Sequence, residues 1–298
     1  GASLELCSGS TSGCADHADS TAFASAQGAV FSGDNLFIVS GTEVYQSFLA
    51  AEVTTKPLGI TWSPSTATGL GGNESLWVLV DAAPYDKILR IHTSDNTLDT
   101  SFDTDGIADA PSKDTEGLAF IADGSNNYLY IVANDGGGGC CDQGNKNLYI
   151  YNIGTKEVEE TINLGDAEVH EDVGGIAYDG ENFRVVAKSG QGVWTVAVDA
   201  DGGSAQKVSS GWPWSSLWGM TATAYHETRG VMYGAGDSTL VIVSDNPGDP
   251  WSPFMINNED TFALTQDDSS VSGIQGMTFG QDLLYVARYE SSQGYVSS

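Results

Sequence analysis

The sequence contains a repeat in which a glycine is followed by three mostly apolar residues, the last of which is usually aromatic. Each copy is followed by a turn and a second short apolar segment, and most copies by a third. Such runs between Gly, Asp, Asn and Ser turns are typical of antiparallel strands, and no sustained helical period is present. The chain is therefore expected to be all-β and built from one repeated unit. The copies begin at Gly28, Gly59, Gly117, Gly175, Gly219 and Gly276, and in the fifth the aromatic residue comes late, at Tyr225.

The repeated unit predicts how the strands pack. A four-stranded antiparallel sheet cannot bury both faces alone, whereas six such sheets around an axis bury them and leave only short edges. We predict one domain over residues 1–298, a six-bladed β-propeller of four-stranded antiparallel blades. The last copy lacks a clear fourth strand before Ser298, so the N-terminal segment 1–27 is expected to supply a strand that closes the ring. A β-sandwich, or two smaller domains, is the alternative.

The order of strands within a blade predicts where polar side chains converge. The residues before each repeat glycine and those that end each second strand lie on one rim of the ring. Carboxylate and amide oxygens on this rim are ligands that Ca²⁺ prefers, although the same residue types also cap strand ends and stabilise turns. The sequence predicts a calcium site formed by Glu116, Asp81, Asn134 and Asp237, with Gln275, Trp218, Asp135, Lys188 and Arg288 on the same rim.

Three tryptophans lie within seven positions, just before the fifth copy of the repeat. Indole rings beside carboxylates suit a sugar or a protein partner, and packing between blades is the alternative role for them. The predicted surface for a glycan or protein ligand consists of Trp212, Trp214, Trp218, Lys188 and Arg288.

The charge of the chain restricts its partners. It carries 11 Lys and Arg residues against 40 Asp and Glu residues, a formal net charge of −29. Phosphate binding needs a cationic surface, so neither nucleic acid nor an anionic membrane surface is an expected partner. No apolar run approaches the roughly 20 residues of a membrane span, so membrane insertion is not expected. The acidic composition favours solubility in a salty external medium and is compatible with bound Ca²⁺.

The four cysteines favour an oxidising, extracellular or cell-surface location. Pairing cannot be derived from the sequence, but a local Cys7–Cys14 disulfide together with a vicinal Cys140–Cys141 disulfide is the favoured arrangement. The vicinal pair would stiffen its loop, and a redox role is the alternative.

The sequence contains no complete catalytic constellation. Gly-x-Ser-x-Gly does not occur, and neither a glycine-rich phosphate loop nor a dinucleotide fingerprint is present. His170, beside Glu171 and Asp172, and Asp135 are the candidate acid or base residues if the chain is an enzyme. A loop hydrogen bond is the alternative role for His170.

One segment resembles the Asp-x-Glu-Gly-Leu stretch of secreted β-propeller phytases and phytase-like esterases: it reads Asp114-Thr-Glu116-Gly117-Leu118-Ala-Phe120. The match continues through Ala122-Asp-Gly124, Tyr128-Leu129 and Tyr149-Ile-Tyr151, and covers about 40 residues. Elsewhere the blade rhythm alone resembles six-bladed propellers of the phytase-like, gluconolactonase-like and NHL-like kinds.

The resemblance implies a role for three of the rim residues. It implies that Glu116 binds a catalytic or structural cation, and that Asp81 and Asn134 correspond to the strand-end ligands of the lactonase-like group. A phytase-like site also needs several cationic side chains, and this chain offers only Lys188 and Arg288, so phytate hydrolysis is not expected.

Two functions follow from the sequence. The first is a calcium-stabilised extracellular module, part of a larger surface protein, that binds a glycan or protein through its axial rim. The second is a Ca²⁺-dependent hydrolase of an ester, lactone or phosphoester, in which an axial metal polarises the substrate or activates water.

Overall fold

The chain folds into short antiparallel strands, as the repeat predicts. A computed structural model describes residues 5–7, 14–16, 26–32, 35–40, 56–94, 97–103, 107–135, 145–188, 192–199, 203–211, 219–227, 231–236, 239–245, 254–263, 265–266, 269–270, 274–280, 283–290 and 293–297. Within these ranges the only helical segment is the 3₁₀ turn Leu164–Ala167. No described helix has the length and apolarity needed to cross a membrane.

The N-terminal strands form two separate pairs, β1 (Glu5–Cys7) with β2 (Cys14–Asp16), and β3 (Ala26–Ser32) with β4 (Asn35–Ser40). The remaining strands form five larger sheets and one further pair. Sheet I contains β5 (Pro57–Ser63), β6 (Ser75–Val80), β7 (Lys87–His92) and β8 (Ile107–Asp109). Sheet II contains β9 (Thr115–Asp123), β10 (Asn126–Ala133), β11 (Asn147–Asn152) and β12 (Glu157–Asn163), and sheet III contains β13 (Val173–Tyr178), β14 (Phe183–Ala187), β15 (Val193–Asp199) and β16 (Ser204–Gly211).

The last two sheets follow the same plan. Sheet IV contains β17 (Ala222–His226), β18 (Val231–Gly236), β19 (Thr239–Asp245) and β20 (Phe254–Ala263). The short pair β21 (Thr265–Gln266) and β22 (Ser269–Ser270) precedes sheet V, which contains β23 (Ile274–Gly280), β24 (Leu283–Glu290) and β25 (Gln293–Ser297). In each of the five sheets the strands lie side by side in chain order.

The local sequence explains why individual strands are buried and why the chain turns between them. Strand β6 is buried along its whole length, since its residues Ser-Leu-Trp-Val-Leu-Val face neighbouring sheets on both sides. The connection from β13 to β14 is an Asx turn, in which Asp179 Oδ1 accepts hydrogen bonds from the backbone N–H groups of Glu181 (2.9 Å) and Asn182 (2.7 Å). Gly180 in this turn has a φ of 97°, a value that favours glycine.

Apolar side chains fill the spaces between neighbouring sheets. Between sheets I and II, for example, Leu79 and Ile88 pack with Leu129 and Ile131, and all four are fully buried. Corresponding clusters join sheet II to III, III to IV, IV to V, and V to I. Five clusters therefore connect the five sheets in a cycle.

The first strands of the sheets lie at the centre of this cycle. They contact one another in the order β5, β9, β13, β17, β23 and back to β5. Their backbones come this close because the repeat glycines have no Cβ at the points of contact. A Cβ on Gly59 would lie 2.8 Å from the Cα of Gly117, one on Gly117 would lie 3.0 Å from the Cα of Gly175, and one on Gly276 would lie 2.8 Å from the Cα of Gly59.

The fifth copy of the repeat is aligned differently from the prediction. A Cβ on Gly175 would lie 3.2 Å from the Cα of Ala222, so Ala222 occupies the repeat-glycine position in sheet IV. Tyr225, three residues further, then occupies the aromatic position. The alignment predicted from Gly219 is therefore wrong by three residues, because Gly219 lies before β17 with a φ of 80°.

The predicted count of six sheets around the axis is not confirmed. The pair β3–β4 contains the first copy of the repeat, beginning at Gly28, but among the described strands β23 contacts β5 directly. The predicted ring-closing role of segment 1–27 is not confirmed either. Its described strands β1 and β2 pair with each other, and no described strand pairs with the outer edge of β25.

The close contact of the first strands predicts the effect of adding one methyl group. We expect Gly59→Ala to lower the free energy of unfolding by about 1–3 kcal/mol, because the new Cβ meets backbone that cannot rotate away. Urea unfolding measures the change. Gly154→Ala is the matched control, since Gly154 is exposed and its Cβ would meet only the Asn152 side chain, at 3.3 Å. Equal effects of the two substitutions would show that the central contact is not tight.

Candidate functional site

The two ends of the central cycle differ. The first strands begin at one end, beside the ends of the second strands, as the pairing of Pro57 with Val80 shows in sheet I. We call this end the narrow rim, and it contains Glu116, Asn134 and Lys188. The first strands finish at the opposite end, around a wider cavity that we call the funnel.

The narrow rim brings together three residues that the sequence places there. Lys188 Nζ donates to both carboxylate oxygens of Glu116, at 2.8 and 2.7 Å, and Asn134 Nδ2 donates to Glu116 Oε1 at 3.1 Å. Burial raises the pKa of Glu116, and the charge and hydrogen bonds of Lys188 and Asn134 oppose that rise. In the described arrangement the positive charge beside Glu116 is thus supplied by the chain itself.

Asn134 also connects sheet II to sheet III. Its Oδ1 accepts a hydrogen bond from the N–H of Val173 at 3.0 Å, and its Nδ2 donates to the Val173 carbonyl at 3.1 Å. Asp86 makes the equivalent connection from sheet I to sheet II, where its Oδ2 accepts from the backbone N–H of Thr115 at 2.9 Å and from its hydroxyl at 2.7 Å. In both cases a polar side chain from the loop between a second and a third strand holds the start of the next first strand.

The other described candidates do not join this cluster. Asp81 is exposed at the end of β6, where its N–H donates to the carbonyl of Lys56. Asp135 accepts hydrogen bonds from Ser112, from Asn147 (2.8 Å) and from Tyr149 (2.6 Å), which anchor it beside β11.

His170 is exposed between the 3₁₀ turn and β13. Within the described residues, no group of three His, Cys, Asp or Glu side chains is placed to hold a metal ion.

Several predicted residues lie outside the described part of the chain. Six of them lie in segments that the structure does not describe at all: Trp212, Trp214, Trp218, Asp237, Cys140 and Cys141. Arg288 lies on β24, opposite Ile274, but its side chain is outside the described residues. Cys7 and Cys14 are register partners in the pair β1–β2, and their side chains are likewise outside. Both disulfides stay predictions.

The funnel is a cavity of about 610 Å³. One half-buried aromatic side chain lines it from the end of each first strand: Trp62, Phe120, Tyr178, Tyr225 and Phe279. A Cβ on Gly280 would lie 2.5 Å from the Trp62 ring, so glycine at that position leaves the space that the indole occupies. Equivalent positions of the repeat thus converge on one cavity.

Sequence reasoning did not identify the funnel, although its signal was present. The aromatic residue that ends each repeat copy served only to identify the strands, and its position was not predicted to bind a ligand. Because the repeat copies are equivalent in space, a residue type common to them must meet around the axis.

The described lining of the funnel carries little charge. Among its described lining residues only Glu227, which is exposed, is charged. Burial raises the pKa of Tyr178, and the negative charges of Asp179 and Glu181 raise it further, so the phenol is neutral at physiological pH. The described lining therefore offers aromatic surface and one carboxylate.

Comparison with known proteins does not assign the chain to a family. No protein-family model matches the chain, and no curated protein does. Glutaminyl cyclase from Myxococcus xanthus is similar at a TM-score of 0.48 and 10% identity, over 82% of this chain and 90% of that one. A chain from a structure of polycomb repressive complex 2 is similar at a TM-score of 0.48 and 10% identity, over 84% of this chain and 50% of that one.

A functionally unknown protein from Desulfotomaculum acetoxidans is similar at a TM-score of 0.43 and 13% identity, over 81% of this chain and 68% of that one. The chain spans about half the length of the polycomb chain that it matches. At these identities and TM-scores the matches assign no function to it.

The Glu116–Lys188 pair predicts a pH-dependent stability. A carboxyl whose pKa is raised by folding contributes stability that is present below its unfolded pKa and lost as the pH rises through its folded pKa. Lys188→Met removes the opposing ammonium, so the pKa of Glu116 rises further. We expect the variant to match the parent near pH 4 and to be about 1 kcal/mol less stable at pH 8, a modest value because Lys188 is 36% exposed and solvent screens the pair.

Urea unfolding at the two pH values measures this difference. The double variant Glu116→Gln/Lys188→Met is the control. It has no carboxyl at this position, so its stability relative to Glu116→Gln is expected to be the same at pH 4 and pH 8. A loss of the same size at both pH values would show that Lys188 acts through packing rather than charge.

Proposed function

We propose that the five sheets are blades of a β-propeller and that the chain is an extracellular binding module whose ligand enters the funnel. The radial arrangement of equivalent antiparallel sheets supports the propeller. Six copies of the repeat support six blades, with the copy at Gly28 as the additional one, whereas the contact of β23 with β5 supports a ring of five.

The ring of half-buried aromatic residues is the observation that carries the proposal. Each of the five rings packs on one side against an apolar cluster between sheets and leaves part of its surface at the cavity, where a ligand can remove it from water. The five rings share one cavity whose volume lies within the range of ligand sites. A glycan stacks on such rings and a protein segment inserts side chains between them, so both predicted ligand classes suit this surface.

The proposal places the chain outside the cytoplasm. The formal net charge of −29 and the four cysteines support this location. The placement of Cys7 opposite Cys14 in an antiparallel pair supports a disulfide between them. Calcium remains part of the proposal as a stabilising ion, because the acidic side chains far outnumber the basic ones.

We do not extend the proposal to a hydrolase. A metal-dependent hydrolase needs a cation with an open coordination position and a base beside it. In the described residues Glu116 is paired with Lys188, and Asp135 accepts three hydrogen bonds from neighbouring side chains. Neither arrangement favours catalysis over binding.

Removing funnel aromatics tests the binding site. Isothermal titration of mannose-, chitin- and cellulose-derived oligosaccharides, and of basic and acidic decapeptides, first identifies a ligand. We expect Trp62→Ala/Phe120→Ala to weaken its binding at least about tenfold, since each stacked ring contributes on the order of 1 kcal/mol.

Tyr85→Ala is the matched control. Tyr85 is an aromatic residue with 49% exposure, and it lies between β6 and β7 at the opposite end of the first strands. Unchanged binding in the funnel variant, or equal loss in Tyr85→Ala, would contradict the assignment.

Calcium dependence is tested by thermal unfolding. We expect the Tm to be several degrees higher in excess Ca²⁺ than in EDTA, because an ion at about 100 times its Kd stabilises a protein by about 2.7 kcal/mol. Mg²⁺ at equal ionic strength is the control for screening. Loss of the shift in Glu116→Gln would place the ion at the narrow rim, and equal Tm values in Ca²⁺ and EDTA would remove calcium from the proposal.

A further inference from the structure

Three of the five hydroxyl groups in the described lining of the funnel take part in hydrogen bonds within the chain. The Tyr178 hydroxyl donates to the Gly180 carbonyl at 2.9 Å, and the Thr223 hydroxyl donates to the Tyr233 carbonyl at 3.0 Å. The Thr61 hydroxyl accepts from the N–H of Phe120 at 3.1 Å. A ligand that enters the funnel therefore meets aromatic rings more than free hydrogen-bonding groups.

The charge of the described surroundings disfavours one class of ligand. None of the described residues that line the funnel is basic, and Glu227 is the single acidic one. The chain as a whole carries a net charge of −29. An anion would have to enter an acidic protein without a counter-charge in the described lining, so a phosphate, a sulfate or a carboxylate is not an expected ligand.

The same features favour a cation. Trp, Tyr and Phe rings carry a negative quadrupole on their faces, and a cation near the ring face is attracted to it. Alkylated ammonium groups suit such a site best, because they are weakly hydrated and their apolar surface fills the space between rings. Glu227 near the mouth of the funnel adds a carboxylate of opposite charge.

We infer that the funnel recognises an alkylammonium group, carried either by a small molecule or by a lysine-type side chain of a partner protein. The inference rests on the proposed function, since it names the ligand class of the same cavity. Its basis is one aromatic ring from each of five first strands, no basic group in the described lining, and three lining hydroxyls that already take part in hydrogen bonds within the chain.

Charged ligands and their neutral isosteres test the inference directly. Choline is compared with 3,3-dimethyl-1-butanol, in which carbon replaces the quaternary nitrogen. Nα-acetyl-ε-trimethyllysine amide is compared with its neutral analogue, in which a tert-butyl group replaces the trimethylammonium group. By titration calorimetry at low salt we expect each cation to bind at least tenfold more tightly than its isostere, and the advantage to shrink as salt is added. If choline binds more tightly, the ligand is a small molecule; if the lysine derivative binds more tightly, the ligand is a side chain of a partner protein.

Variants separate the contributions of ring and charge. Tyr178→Leu is expected to weaken choline binding at least fivefold, whereas Tyr178→Phe, which keeps the ring, loses less than threefold. Glu227→Gln is expected to weaken choline binding about threefold and to leave the weak binding of the neutral isostere unaltered. Tyr85→Leu at the opposite end is the control that is expected to change nothing, and urea unfolding verifies that each variant is folded.

The outcomes distinguish this inference from the proposed function. Cation and isostere binding with equal affinity would overturn the inference and leave the funnel as a binding site. Binding of an oligosaccharide instead, with the same sensitivity to Trp62→Ala/Phe120→Ala, would do the same. If no probe of either class bound the funnel, both the inference and the proposed function would be overturned.

Discussion

The contact between first strands at the repeat glycines is the constraint on which the rest of the structure depends. A Cβ on Gly59 would overlap the backbone of β9, and a Cβ on Gly276 would overlap the backbone of β5, so the strands would have to separate. Separation would open the apolar clusters between the sheets, because each cluster is formed by the faces of two neighbours. The absence of a Cβ at the repeat glycines thus determines how closely all five sheets pack around the centre.

The same contact creates two unlike ends. Where the first strands begin, side chains such as Asn134 and Asp86 clasp the next sheet, and their hydrogen-bonding capacity is used for assembly. Where the first strands finish, bulky aromatic residues line the funnel in place of the glycines. Polar groups therefore hold the narrow rim together, and the aromatic residues are left facing a cavity.

The sequence was sufficient to predict antiparallel four-stranded sheets and the placement of Glu116, Asn134 and Lys188 on one rim, because both follow from strand order within one unit. It was not sufficient to align sheet IV, where Ala222 replaces the glycine and Gly219 lies nearby as a false match. It also did not assign the aromatic positions to the funnel. The predicted partner of Glu116 was a cation from solution, and pairing with Lys188 could not be anticipated because it depends on side-chain reach across two sheets.

The scarcity of basic residues connects stability with the character of the funnel. Of the 11 Lys and Arg residues, seven form ion pairs with carboxylates in the described part of the chain: Lys87, Arg90, Lys146, Lys156, Arg184, Lys188 and Lys207. Some of these pairs are internal, such as Arg90 with Asp99, where burial acts to raise the pKa of Asp99 but the hydrogen bonds of Ser101 and the charges of Arg90 and His92 lower it. Basic residues used in this way neutralise individual carboxylates, and the remaining acidic residues keep their charge. The funnel therefore belongs to a protein of net charge −29 but has no cluster of acids in its described lining, a setting in which aromatic rings favour a cation over a neutral molecule of the same shape.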